Sequence, residues 1–200
     1  MAYLVTGGAR SGKSGFAEEL ASRLGSRGIY VATSQPYDGE MEERVALHQA
    51  ARMESGFSWE TIEAPLRLAD LLLQLDESHA AGGEESDAPS ILVDCLTLWL
   101  TNQMLLLEEN MQLSRSERDE QLNAKMEELA AAAAAVRCPL ILVTNEVGSG
   151  IVPEYPLGRR FRDHAGRLNR RIAEVSERVF LVTAGIPVDL KTVAFRWEEL

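Results

Sequence analysis

Gly7-Gly8-Ala9-Arg10-Ser11-Gly12-Lys13-Ser14 matches the pattern G-x-x-x-x-G-K-[ST] without a substitution, and its flanks supply the context the pattern requires. Before it, Tyr3-Leu4-Val5-Thr6 reads as a short buried strand. After it, Phe16, Leu20 and Leu24 form one stripe with Ala17 and Ala21 beside them, an amphipathic helix that ends at Gly25. The glycines let backbone N–H groups converge on phosphate oxygens, and the helix N-terminus adds partial positive charge. Lys13 is placed to reach the β- and γ-phosphates of a nucleotide, and the Ser14 hydroxyl to ligate Mg²⁺. The stretch reads as a phosphate cradle.

Composition bounds what surrounds it. The chain has 200 residues, 46% of them apolar, enough to bury a full core as one domain spanning 1–200, or one domain with an insertion. A formal net charge of -11 argues against a general nucleic-acid or anionic-membrane surface, since both reward a basic protein. The N-terminus enters a strand directly and carries no basic segment of the kind a signal peptide needs. The nearest approach to a membrane span, Leu96 to Leu107, is broken by Thr97, Thr101, Asn102 and Gln103. Cys95 and Cys138 fit neither a metal-ligand spacing nor a disulfide-rich secreted scaffold. A soluble cytoplasmic protein with reduced thiols is expected.

Along the chain, Gly28 to Thr33 reads as a second strand whose polar end, Thr33-Ser34-Gln35, lies where open α/β sheets place ligands. Met41, Val45, His48 and Arg52 then share a helical face, with Arg44 one turn before His48. An imidazole flanked by guanidiniums suits an anion, although on spacing alone a helical histidine is more often a surface or satisfied core residue. Phe57 to Ile62 reads as a third strand closing at Glu63. Pro65 is placed to start a helix buried through Leu68, Leu71, Leu72 and Leu75, and Asp76 to Pro89, with His79, reads as a polar surface loop.

Ser90-Ile91-Leu92-Val93-Asp94 is a strand closed by a carboxylate, the position from which an acid holds Mg²⁺ in P-loop proteins. A very apolar helix follows to Leu107, and Ser114-Arg115-Ser116-Glu117 has the form of a capping box opening a long helix. Cys138 to Thr144 is another buried strand, running into Asn145-Glu146-Val147-Gly148-Ser149-Gly150. A regulatory GTPase would place N-K-x-D there, so that class is disfavoured. The next helix buries Phe161, Ala165, Leu168, Ile172 and Val175 and carries Arg159, Arg160, Arg162, Arg167, Arg170 and Arg171. Guanidinium forks suit phosphate or carboxylate groups, and a solvated face paired with local acids is the alternative. The chain closes with a strand at Val179–Thr183, a tight turn, and an antiparallel edge strand at Val188–Val193.

In order, V-T-G-G-A-R-S-G-K-S, A-T-S-Q at Ala32 to Gln35, the helix ending in His48, D-C-L-T at Asp94 to Thr97, T-N-E-V-G-S-G-I-V-P at Thr144 to Pro153 and F-R-D-H-A-G-R-L-N at Phe161 to Asn169 resemble adenosylcobinamide kinase/adenosylcobinamide-phosphate guanylyltransferase. The resemblance covers nearly the whole chain. It implies a RecA-like P-loop NTPase fold, α/β, mostly parallel with one antiparallel edge strand and helices on both faces, assembled as a homotrimer. It implies transfer of the γ-phosphoryl of ATP or GTP to adenosylcobinamide, then of GMP from GTP, carried on a histidine, to adenosylcobinamide-phosphate. By position that histidine is His48. The nucleotide contacts are Gly7, Gly8, Ala9, Arg10, Ser11, Gly12, Lys13, Ser14, Ala32, Thr33, Ser34, Gln49, Ala50, Ala51, Arg52, Glu63 and Asp94, with Ser14 and Asp94 also holding Mg²⁺. The chain departs from the usual Lys-x-x-Arg-Pro form after the histidine, with Gln49-Ala50-Ala51-Arg52-Met53 in its place. Two other classes compete: a simple P-loop small-molecule kinase, and a RecA-type ATPase binding nucleic acid through the arginine helix, which the net charge disfavours.

Overall fold

A computed structural model describes residues 1–34, 56–80 and 88–196. Among these, seven strands form one sheet: β1 (Ala2–Thr6), β2 (Gly28–Ala32), β3 (Trp59–Glu63), β4 (Ser90–Asp94), β5 (Leu140–Val143), β6 (Arg178–Thr183) and β7 (Ile186–Asp189). Their order is β3-β2-β4-β5-β1-β6-β7. All neighbours run parallel except β6 and β7. This is the mostly parallel α/β sheet with one antiparallel edge strand expected from the sequence.

Composition explains the order. β1 and β5 are buried from end to end, as strands covered on both faces must be. The outermost strands differ: β3 exposes Glu60, Thr61 and Glu63, and β7 carries Pro187, which lacks the N–H for a further ladder. Side chains alternate between two cores. Tyr3, Val5, Tyr30, Leu92, Ile141 and Val143 face α1 (Lys13–Leu24) through Ala17 and Ala21. Leu4, Val31, Ile91, Val93, Leu140 and Leu142 face the opposite layer of α2 (Leu68–Ala80), α3 (Leu96–Glu109), α4 (Arg115–Ala135) and α5 (Pro156–Val175). Helices therefore cover both faces.

Several boundaries differ from the sequence reading, each for a local reason. The helix expected from Pro65 begins at Leu68, because the Leu66 carbonyl instead accepts Trp99 Nε1 at 3.1 Å and Gln103 Nε2 at 2.8 Å. At its other end α2 runs on to Ala80, so Asp76 and His79 are helical rather than part of a surface loop. The closing strand is Ile186–Asp189, and the residues after it form a short helix, α6 (Leu190–Val193), because Asp189 caps it by accepting Lys191 N at 3.2 Å. Ala184 and Gly185, both with positive φ, make the tight β6–β7 turn. The capping box of α4 forms as expected, with Glu117 N donating to Ser114 Oγ and Ser114 N to Glu117 Oε2.

Asp76 is the least expected of these. It is 6% exposed and accepts Arg137 N at 2.7 Å, Cys138 N at 3.0 Å and Arg137 Nε at 3.0 Å, joining α2 to the entrance of β5. Burial alone would raise its carboxyl, but the Cys138 amide, the Arg137 side chain and amide, and the Arg137 charge outweigh it and hold Asp76 below the usual carboxylate range. A pKa depressed on folding contributes stability above the unfolded value of about 3.9 and loses it as pH falls through the folded value. Asp76→Ala is expected to lower the unfolding free energy at pH 7 by roughly 2–4 kcal/mol, because two amides lose their acceptor. Urea unfolding of both proteins should show the gap narrowing below about pH 4; a gap constant down to pH 2 would contradict this role.

Candidate functional site

The loop expected to cradle phosphate is built where β1 meets α1. Gly12 caps the helix in the left-handed region at φ 92, and Arg10 lies there too at φ 56, so residues 8–12 turn sharply before Lys13 opens the helix. A side chain at Gly7 would place its Cβ 2.5 Å from the Val182 carbonyl and 2.6 Å from Ser11 Oγ, so only glycine fits. Lys13 Nζ donates to Gly8 O at 3.1 Å, which lays the ammonium over the loop. The first turn of α1 carries no acidic residue, so nothing on the helix offsets the positive end of its dipole. Ser11 Oγ is buried without a hydrogen-bond partner among the described residues. The loop is fastened from two sides: Gly185 N donates to Ser11 O at 2.9 Å, and Glu146 N to Gly7 O at 3.1 Å.

Sheet register brings the other strand-end residues to this level. Val5 pairs with Val143, Val143 with Asp94, Asp94 with Ala32 and Ala32 with Glu63, so these five form one rank at the carboxyl ends of their strands. Side chains of one rank share a face, and Val5, Val143 and Ala32 belong to the core under α1. Asp94 therefore lies on the face where the helix of the cradle packs. With β5 between them, β4 and β1 are about 10 Å apart, room for the phosphates and a hydrated cation. Tyr30, two residues back on the same face, donates its hydroxyl to Asp94 Oδ2 at 3.3 Å. Burial, with the Asp94 charge second, pushes the neighbouring Cys95 thiol up to about 11, so it is no nucleophile.

Thr33, just after β2, is tied into the interior by its own hydrogen bonds. It is fully buried; its hydroxyl donates to Cys95 O at 2.7 Å and accepts from Cys95 N at 2.8 Å, and its carbonyl accepts Asn102 Nδ2 at 2.8 Å. Asn102 also donates to Pro65 O at 3.1 Å, so one side chain of α3 ties the loop after β2 to the loop after β3. A parallel chain runs behind the loop after β5: Asn145 Nδ2 donates to Thr97 Oγ1, Thr144 Oγ1 to Asn169 Oδ1, and Asn169 Nδ2 to Asn145 O. These supports were missed in the sequence, although polar residues interrupting so apolar a helix were the available signal.

The arginine helix divides into two groups. Arg160, 13% exposed, donates to Glu108 at 2.6 Å and Asp119 at 2.8 Å, and Arg118 joins Glu108 at 2.7 Å. His164 is buried beside them, with Nε2 3.1 Å from Asp119. Burial pushes this imidazole below its ordinary range, and the opposing pull of Asp119 does not make up the difference. Arg160 is thus spent on packing α5 against α3 and α4. By contrast, Arg162 donates twice to the Gly148 carbonyl, from Nε at 3.1 Å and Nη2 at 2.5 Å, and makes no ion pair with any described residue.

His48, with Gln49, Ala50, Ala51 and Arg52 after it and Gln35 before it, lies outside the described residues. Glu63, at the edge of the rank, lines an open cleft of about 360 Å³ with Pro65 and Arg67. No described helix is long and apolar enough to cross a membrane.

Residues 3–190 match the model of a family described as cobinamide kinase / cobinamide phosphate guanyltransferase. The chain is 43% identical over 191 residues to the bifunctional adenosylcobalamin biosynthesis protein CobP of Pseudomonas aeruginosa, covering 96% of this chain and 98% of that one. It is 41% identical to CobU of Escherichia coli and 40% identical to CobU of Salmonella typhimurium, in each case over 96% of this chain and all of the relative. With a P-loop at the head of a parallel sheet, a strand-end aspartate in rank with it, and this similarity along almost its entire length, the chain belongs to the cobinamide kinase / cobinamide phosphate guanyltransferase family of enzymes.

Proposed function

We propose that the protein transfers the γ-phosphoryl of ATP or GTP to the hydroxyl of adenosylcobinamide, and then moves GMP from GTP to adenosylcobinamide-phosphate through a guanylyl group on His48, giving adenosylcobinamide-GDP. The observation that carries this reading is the fastened cradle of Gly7 to Ser14 set in rank with Asp94, in a chain whose relatives are named as bifunctional. In the kinase half, backbone N–H groups of the cradle and Lys13 hold the β- and γ-phosphates in line with the acceptor hydroxyl. In the second half, a His48 ring nitrogen attacks the α-phosphorus, the bond to pyrophosphate breaks, and an oxygen of the acceptor phosphate then displaces the imidazole. Ala32, Thr33, Ser34, Glu63 and Gln49 to Arg52 complete the nucleotide site in this reading, and the working unit is a cytoplasmic homotrimer.

Ser14 and Asp94 would hold Mg²⁺, which supplies charge neutralisation at the phosphates when bound. The donor set fits: a hydroxyl and a single carboxylate are hard oxygen ligands, and Mg²⁺ is commonly held by one or two carboxylates with phosphate and water completing its shell. Among the described residues no three acidic, histidine or cysteine side chains gather into a cage. Asp94→Asn is expected to raise the Mg²⁺ concentration for half-maximal kinase rate by roughly tenfold, as a neutral amide is a poorer ligand. An unchanged metal titration would make Asp94 only the acceptor for Tyr30.

The test of the whole reading uses GTP labelled separately at the α and γ positions. Label from the α position is expected on the protein, with pyrophosphate released, and label from the γ position on the corrinoid alone. Corrinoid phosphorylation without protein labelling would favour the simple kinase.

A further inference from the structure

Beside the cradle, α5 carries a cleft of about 690 Å³ lined by Gly148, Arg162, Asp163, Arg167, Arg170 and Arg171. Two of its arginines are answered by carboxylates, Arg170 by Glu174 at 3.2 Å and Arg171 by Glu127 at 2.8 Å. The other two are not. Arg162 spends its Nε and Nη2 donors on a neutral carbonyl, and Arg167 makes no ion pair with any described residue. Against these two cations the lining offers one exposed carboxylate, Asp163, in a chain whose formal net charge is -11. Like charges lining one cleft repel each other until an anion enters.

The position of the cleft indicates which anion. Gly148 follows Glu146 by two residues, a span of at most about 7 Å, and the Glu146 amide is bonded to Gly7 O at 3.1 Å. The rim of the cleft is thus within about 10 Å of the start of the phosphate cradle. The proposed two-step reaction needs such a second anion site. A phosphate just received from the γ position sits where the next GTP must bind, and it has to move a short distance and remain held as the acceptor. A phosphate monoester carries a charge of about -1.5 to -2 at neutral pH and offers three acceptor oxygens, which guanidinium forks match.

We propose that the Arg162–Arg167 cleft seats the phosphate of the phosphorylated acceptor during guanylyl transfer, apart from the cradle that holds the nucleotide phosphates. The assignment rests on the two-step reading above. Arg162 is positioned by Gly148, so its Nη1 donors remain for the ligand, and Arg167 supplies the second fork. The fixed carbonyl contact also links the cleft to the loop that fastens Gly7.

The test is steady-state kinetics of Arg167→Ala and Arg167→Lys beside the wild-type enzyme, with mass measured by sedimentation. Arg167→Ala should raise the KM for adenosylcobinamide-phosphate about 10- to 100-fold, the range of one lost charge-assisted contact. Its KM for GTP and for unphosphorylated adenosylcobinamide should stay within about twofold of wild type, and Arg167→Lys should recover part of the loss. An equal rise in KM for GTP would give the cleft to the nucleotide and overturn the proposal. A change in the number of subunits would make it a chain–chain contact, and unaltered kinetics would make it a solvated face; either result overturns it. Failure of the wild type to use either corrinoid would remove the two-step reading itself, and this proposal with it.

Discussion

Replacing Lys13 with alanine is expected to lower both the phosphorylation of adenosylcobinamide and the guanylyl transfer by roughly 10²-fold or more while leaving the fold intact. Its ammonium lies over the cradle through the bond to Gly8 O, where charge builds as a phosphoryl group leaves. The fold should tolerate the loss for two reasons. Lys13 is only partly buried, and a cation in the first turn of α1 opposes the helix dipole, so alanine there is neutral or mildly stabilising. Circular dichroism and a thermal melt establish that the variant folds, and turnover with labelled ATP and GTP measures the effect. Wild-type rates in a folded Lys13→Ala protein would sink the assignment of the cradle.

His48→Ala is expected to separate the two halves of the reaction. Guanylyl transfer should fall to background, because no covalent carrier remains for GMP, and protein labelling from α-labelled GTP should vanish with it. Phosphorylation of the corrinoid should persist, since moving a γ-phosphoryl requires positioning and charge neutralisation and no covalent intermediate. The wild-type label should be lost in acid and kept in base, as a phosphoramidate is. The structure narrows the alternatives. His164 is buried against Asp119, and His79 sits in the last turn of α2, a helix on the sheet face opposite α1. Acid-labile labelling that survived in His48→Ala would show that the nucleophile is elsewhere.

What the sequence disclosed and what it hid follow from the range of the interactions. The cradle, the strand ends at Ala32, Glu63 and Asp94, and the capping box at Ser114 are written in residues close together in the chain, where period and turn chemistry act. Asp76 was hidden because a charged residue near the end of an apolar stripe looks the same in sequence whether it faces water or two amides 61 and 62 positions away. The arginines of α5 show the same limit. Six identical side chains stand in one segment, and only the arrival of Glu108, Asp119 and Glu127 from other helices separates Arg160 and Arg171 from Arg162 and Arg167. Thr33 read correctly as a strand-end polar residue but not as an internal strut, because Cys95 and Asn102 reach it only through the sheet order.

The β6–β7 turn braces the G-x-x-x-x-G-K-S loop from a position far along the chain. Ser11 O is held by the amide of Gly185, which the ribosome adds 174 residues later. Gly12 packs against the same turn, since a Cβ there would come within 3.2 Å of Gly185 Cα. A nascent chain therefore displays its whole G-x-x-x-x-G-K-S motif for the length of those residues without this brace. Because synthesis runs at about 5–20 residues per second, the interval is on the order of ten seconds or more. During that time the chain carries the motif without the Gly185 amide that holds Ser11 O in the finished fold.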